Sequence, residues 1–163
     1  MISLDYLLFI AKLFSALGCG LVAGIFFAFS TFVMRALARL EPPQGIAAMQ
    51  AINITVINPW FMTAFFGTGV ACLFLAIVSL LNWHFSGAAY LLIGSLLYLL
   101  GTVGVTIAFN VPLNDALAIV KAESVEGAEL WAKYLTDWTL WNHLRTIAAL
   151  IAAALLTLGL CID

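Results

Sequence analysis

Trp60-Phe-Met-Thr-Ala-Phe-Phe-Gly-Thr-Gly-Val-Ala-Cys-Leu-Phe-Leu-Ala-Ile-Val-Ser-Leu-Leu81 contains no charged side chain and no proline. Crossing the hydrocarbon core of a bilayer takes about 20 consecutive apolar helical residues, and this stretch has that length. Three comparable stretches flank it along the chain: Leu13–Met34, Ala88–Phe109 and Leu140–Ile162. Backbone polar groups facing lipid must satisfy one another within the segment, so all four are read as helices. Composition agrees: of 163 residues 65% are hydrophobic and 9% charged, and mean hydropathy is +1.15. Nothing offers the polar outer faces that a soluble helical protein needs. The expected fold is all-α, an integral membrane four-helix bundle forming one transmembrane domain over residues 1–163.

A cleaved signal peptide places a basic region before a short apolar run. Here Asp5 comes first, Lys12 interrupts, and the apolar stretch continues past Phe32, so the first segment is expected to be retained as a span. Arg35, Arg39, Lys121, Lys133 and Arg145 lie in the connections after the first and third segments or at their edges, whereas Asn82–Gly87 has no Lys or Arg. The positive-inside rule then puts both long connections in the cytoplasm and both termini outside an inner (cytoplasmic) membrane. Lys12 is expected at the outer edge, its ammonium reaching the headgroups. Cys19, Cys72 and Cys161 have apolar helical surroundings, and an odd count without paired spacing gives no disulfide framework. A net charge of −2 with six basic residues excludes a nucleic-acid surface.

The halves resemble each other. Phe27-Ala-Phe-Ser-Thr-Phe-Val-Met-Arg-Ala-Leu-Ala38 aligns without gaps on Ile107-Ala-Phe-Asn-Val-Pro-Leu-Asn-Asp-Ala-Leu-Ala118, with Ala28/Ala108, Phe29/Phe109, Ala36/Ala116, Leu37/Leu117 and Ala38/Ala118 identical. The reading is a duplicated unit of span, cytoplasmic amphipathic helix and span, over about 1–82 and about 83–163. Two spans return each unit to its starting side, so the copies are expected to be parallel. Pro42-Pro43 is expected to end the run from the first segment, with Gly45–Ile57 resuming as an apolar-faced helix. Asn58-Pro59 reads as a cap followed by proline at the first helical position. Pro112 is expected to break the third segment. Trp131, Tyr134, Trp138 and Trp141 suit the headgroup region. Gly20-Leu-Val-Ala-Gly24, and Gly94, Gly101 and Gly104, are expected to let helices approach closely.

On this topology Arg35, Asn53, Asn58, Asn110, Asn114, Asp115, Asn142, His143 and Arg145 all fall near one membrane face. Trp138, Asn142 and Arg145 are spaced four and three apart and share a helix face, while His143 points elsewhere. Trp141 and Arg145 are also four apart, which allows guanidinium stacking on indole. The arrangement suggests a polar pocket walled by aromatics at the cytoplasmic mouth of the bundle. Simpler roles exist for single members: Asn58 and Asn110 as caps, Asp115 in a first turn or paired with Arg35 or Arg145, Arg145 as an interfacial anchor. The two histidines, His84 and His143, fall on opposite sides, so no metal site is expected.

Gly24-Ile-Phe-Phe-Ala-Phe-Ser30 with Phe32-Val-Met, Gly45-Ile-Ala-Ala-Met-Gln-Ala-Ile-Asn53, Asn58-Pro59, Asn110-Val-Pro-Leu-Asn-Asp115 and Trp138-Thr-Leu-Trp-Asn-His-Leu-Arg145 resemble the anthrone oxygenase-like family of small four-span proteins. The resemblance covers nearly the whole chain. It implies oxidation of an anthrone to an anthraquinone by dioxygen, with no added cofactor. An anthrone has an acidified methylene opposite its ketone, and the enolate left by its deprotonation is electron-rich enough to meet dioxygen directly. Such a protein must supply a base, donors for the enolate oxygen and a dry aromatic slot. On these residues the base is assigned to Asp115 or His143, the donors to Arg145 and Asn142 or Asn114, and the ring platform to Trp138 and Trp141. Asn110, Arg35, Asn53 and Asn58 complete the expected binding set.

A second reading is a binding or transport module for a small apolar or anionic molecule such as a quinone, since duplicated two-span units are a carrier arrangement. The expected partners under either reading are the lipid bilayer and a hydrophobic aromatic small molecule. A bundle this small also leaves room for self-association into a homo-oligomer.

Overall fold

The computed structural model describes residues 4–162, which form four long helices and one short one, with no strand among the described residues. Asp5–Leu37, Pro59–Leu81, Ala88–Ile119 and Val125–Cys161 are each long and apolar enough to cross a membrane, and are taken below as the first to fourth spans. The short helix Pro42–Thr55 joins the first to the second. The spans form a ring: the first packs on the second and fourth, and the third packs on the same two. Large apolar side chains such as Leu17, Phe32, Val70, Leu81, Leu100 and Ile147 point outward, a surface suited to lipid.

Small residues set the helix spacing. A Cβ on Gly101 would stand 2.7 Å from Ala148 Cβ, so the third and fourth spans touch there as glycine allows. Gly18 opposes Thr68 on the second span in the same way. Gly20 and Gly24, expected to do this work, have nothing within 4 Å of an added Cβ. They lie on the lipid-side arc of the first span, whose inward arc is Ala16, Cys19, Ala23 and Phe26. Gly87 closes the turn between the second and third spans with φ 85°, a left-handed conformation that favours glycine.

Asn58 caps the second span as its sequence suggests: its Oδ1 accepts from Phe61 N at 3.1 Å, and Pro59 follows in the first turn. Three other boundaries differ from expectation. Pro42-Pro43 do not close the preceding run; they open the short helix from its first turn, where a missing N–H costs no hydrogen bond. Pro112 does not break the third span, which continues through Val111–Ile119. A wide π-type turn at Thr106–Asn110 holds the carbonyls four and five residues before Pro112, where a missing donor and the proline ring are accommodated. The expected second cytoplasmic helix is not separate either, because it runs without interruption into the fourth span. At about 1.5 Å per residue this 37-residue helix is about 56 Å long, well beyond the roughly 30 Å of a hydrocarbon core.

The overhang builds a second core. Met34, Leu37, Ile46, Met49, Leu117, Trp131, Tyr134 and Trp138 bury one another between the short helix, the end of the third span and the start of the fourth. Trp131, Tyr134 and Trp138 form a column with ring centroids 5.6 and 6.0 Å apart, and Gly45 lies against Trp131. These three aromatics are buried rather than spread in a headgroup belt, because spacings of three and four place them on one face covered by Pro42–Thr55. Lys12 also departs from its expected place. It is 3% exposed, with its ammonium 5.7 Å from the centroid of Phe85, whose turn folds over it.

Candidate functional site

At the end of the bundle that carries the short helix, the spans part around a cavity of about 270 Å³. This is close to the lower end of the roughly 300–1,000 Å³ usual for small-molecule sites. Phe26 and Phe29 wall it from the first span, Phe61 and Phe65 from the second, and Met49, Ile52 and Val56 from the short helix. Thr106 and Asn114 face it from the third span, Trp138 and Arg145 from the fourth. Its outer rim, Ile57, Phe66 and Ile107, is exposed and apolar.

Among the described residues Arg145 is the one charged group in the lining, and it is 5% exposed. Its Nε donates to Asn142 Oδ1 at 3.0 Å and its Nη1 to Thr106 Oγ1 at 3.2 Å. The guanidinium carbon lies 4.0 Å from the Phe26 ring centroid and 4.8 Å from that of Trp138. It therefore stacks on those rings and not on Trp141, which instead stacks on Phe109 at 3.7 Å. Asn142 is fixed in turn: its Nδ2 donates to Phe26 O at 2.8 Å and to Ser30 Oγ at 2.7 Å. Ser30 shares a 3.1 Å hydrogen bond with Thr146, which donates to Asn142 O at 2.6 Å. The first and fourth spans are thus tied by a polar network whose end point is a guanidinium aimed at the cavity. Burying a charge inside a membrane bundle is costly, and neutral oxygens and aromatic faces offset only part of that cost.

Asn114 has an orientation fixed by two donors, since its Oδ1 accepts from Tyr134 Oη at 2.7 Å and from Trp138 Nε1 at 2.8 Å. Asn53 faces the same cavity from the short helix, and its buried amide lies toward the Tyr134 hydroxyl. Asn110 is fully buried and donates to Trp138 O at 3.2 Å. It lies one turn from Asn114 on the face turned to the fourth span, outside the lining.

The structure therefore gathers Arg145, Asn142, Asn114, Asn53, Trp138 and Asn110 at or beside the cavity. The other expected site residues lie elsewhere. Arg35, Asp115 and His143 are exposed, Asn58 is occupied as a cap, and Trp141 is half-buried against Phe109. Sequence reasoning missed Phe26 and Thr106, the direct partners of Arg145, and Ser30 and Thr146, which hold Asn142. Ser30 was in view, because it aligns with Asn110 in the expected duplication.

Fold and site together define an all-helical, four-span membrane protein with an aromatic cavity headed by a buried arginine. The chain belongs to the anthrone oxygenase family: the model of that family matches residues 61–155, more than half of the sequence. The match includes Asn110, Asn114, Trp138, Asn142 and Arg145, and leaves out the first span and the short helix. No curated protein and no solved structure matches the chain.

Proposed function

We propose that this protein is a membrane oxygenase that takes a flat aromatic ketone of the anthrone kind and oxidises it with dioxygen, without an added cofactor. The observation that carries the reading is Arg145, a buried guanidinium laid against Phe26 and Trp138 at the head of an otherwise apolar cavity. A ring system slides between the phenyl and indole walls, and its oxygen meets the guanidinium. Positive charge held in place beside a developing enolate oxygen lowers the barrier to forming it. Water takes the proton that leaves the ring carbon; the enolate carbon then reduces dioxygen and forms a C–O bond, and the peroxide anion takes a proton back from water to give a hydroperoxide. Loss of water from that group breaks the O–O bond and leaves the second ketone of the quinone. One oxygen atom ends in the product and the other in water.

In this reading Arg145 and Asn114 are donors, Phe26 and Trp138 hold the ring, and Asn142 positions Arg145. Asp115 and His143, the expected bases, are on exposed faces and are given no part in the chemistry. Isotope-labelled dioxygen tests the proposal. One labelled oxygen per quinone is expected, and label arriving from water instead would contradict it.

Passage of the same ligand without reaction is the second reading, favoured by the exposed apolar rim at Ile57, Phe66 and Ile107. Flux of an unchanged ligand through proteoliposomes, with no oxidation in air, would decide for the carrier.

A further inference from the structure

Around Arg145, the acceptor oxygens of Asn114 and Thr106 are already in use. The oxygen of Asn114 is taken by Tyr134 and Trp138, so its amide N–H groups are what remain for a ligand. The Thr106 hydroxyl donates to Thr102 O at 2.7 Å while accepting from Arg145, which leaves it no proton to give. Asn53 Nδ2 is a buried donor that faces the Tyr134 hydroxyl. Arg145 has only donors to offer. Among the described residues, no carboxylate, imidazole or thiol lines the cavity. A site with a buried positive charge and unused amide N–H groups beside it is completed by a ligand that brings negative acceptor oxygen, and none of these lining groups receives a proton.

We infer that the cavity binds its ligand as an anion, a flat aromatic whose phenol or enolised ketone has lost its proton, and that the proton goes to water and not to a protein base. In that step the O–H or C–H bond breaks, its electron pair stays on the ligand, and Arg145 and Asn114 face the resulting oxygen. Specificity follows from acidity: the more readily a ring system ionises, the better it is held. The inference deepens the oxygenase reading but takes only the choice of ring system from it, since it concerns binding and not turnover.

The test uses the purified full chain in nanodiscs and 2-hydroxyanthraquinone, whose phenolate absorbs at longer wavelength than its phenol. Half-ionisation of the bound ligand is expected at least about one pH unit below its value in empty nanodiscs, a tenfold preference for the anion. The 2-methoxy analogue has no proton to lose and is expected to bind at least about tenfold more weakly, by the same linkage. Arg145→Gln should abolish the phenolate band. Should that variant fail to fold, the comparison of the two ligands on the wild-type protein decides. A bound ligand that keeps its neutral spectrum, equal affinity for the methoxy analogue, or no binding of either would overturn the inference. A phenolate band with no oxidation of an anthrone in air removes the oxygenase reading alone; oxidation by a protein that binds only the neutral ligand removes this inference alone.

Discussion

Arg145 concentrates the chemistry of this chain in one side chain, and its neighbours show what each substitution should do. Removing one preorganised donor from an oxyanion costs about 10²–10³ in rate, so Arg145→Gln is expected to lower anthrone turnover by at least about 100-fold. Arg145→Lys should not restore it, because an ammonium can neither stack between Phe26 and Trp138 nor reach Asn142 and Thr106 at once. Asn114→Leu leaves Tyr134 Oη and Trp138 Nε1 buried without their acceptor, a loss of about 1–3 kcal/mol in stability, measurable as a lower melting temperature in detergent. The shared face of Trp138, Asn142 and Arg145 was legible in the sequence, because helical spacing alone decides it. That Phe26 and Thr106 meet the guanidinium was not, because those contacts join segments far apart in the chain. Asp115 and His143 drew attention as rare polar groups in an apolar sequence. Both lie on exposed faces, Asp115 near the end of the third span and His143 midway along the fourth, away from the cavity.

Helices show the same division between local grammar and tertiary fit. Asn58-Pro59 could be read as a helix start from two residues, and the hydrogen bond to Phe61 N is there. Pro112 could not be read correctly, because proline breaks a regular α-helix but is tolerated after a wide turn, and nothing in the local sequence announces that turn. Likewise a glycine's role depends on what faces it. Gly45→Ala would put a methyl 2.8 Å from Trp131 Cζ2, so the short helix must lift from the aromatic column. A loss of about 1–3 kcal/mol and a looser cavity are expected, as for other overpacked positions. Gly24→Ala meets nothing within 4 Å and should leave stability unchanged; the same thermal melt checks both. We retain the duplication as a proposal. It is supported by Ser30 and Asn110, which align, are both buried and both lie in wide turns, at Phe29–Val33 and Thr106–Asn110.

Four apolar helices closed into a ring leave the lipid-facing surface apolar and place the cavity with its buried guanidinium in the interior of one end. The number of spans followed from hydropathy, because the bilayer imposes a length on each. Which faces would meet did not, since nearly every face is apolar and packing distinguishes them only by side-chain size. The proposed orientation, with the cavity end cytoplasmic, can be checked with cysteine. Cys161 is exposed near the opposite end whereas Cys19 and Cys72 are buried, so an impermeant maleimide added outside intact cells, with the outer barrier opened, should label Cys161 alone. Labelling only after lysis would reverse the orientation. For the function itself, the decisive experiment is aerobic oxidation of anthrone by the purified protein in nanodiscs, followed by absorbance beside Arg145→Gln and Asp115→Asn. We expect wild type and Asp115→Asn to run well above the spontaneous rate, and Arg145→Gln, shown to be folded, to fall to it. A wild-type rate no faster than empty nanodiscs, or full activity in folded Arg145→Gln, would contradict an oxygenase built around the buried guanidinium.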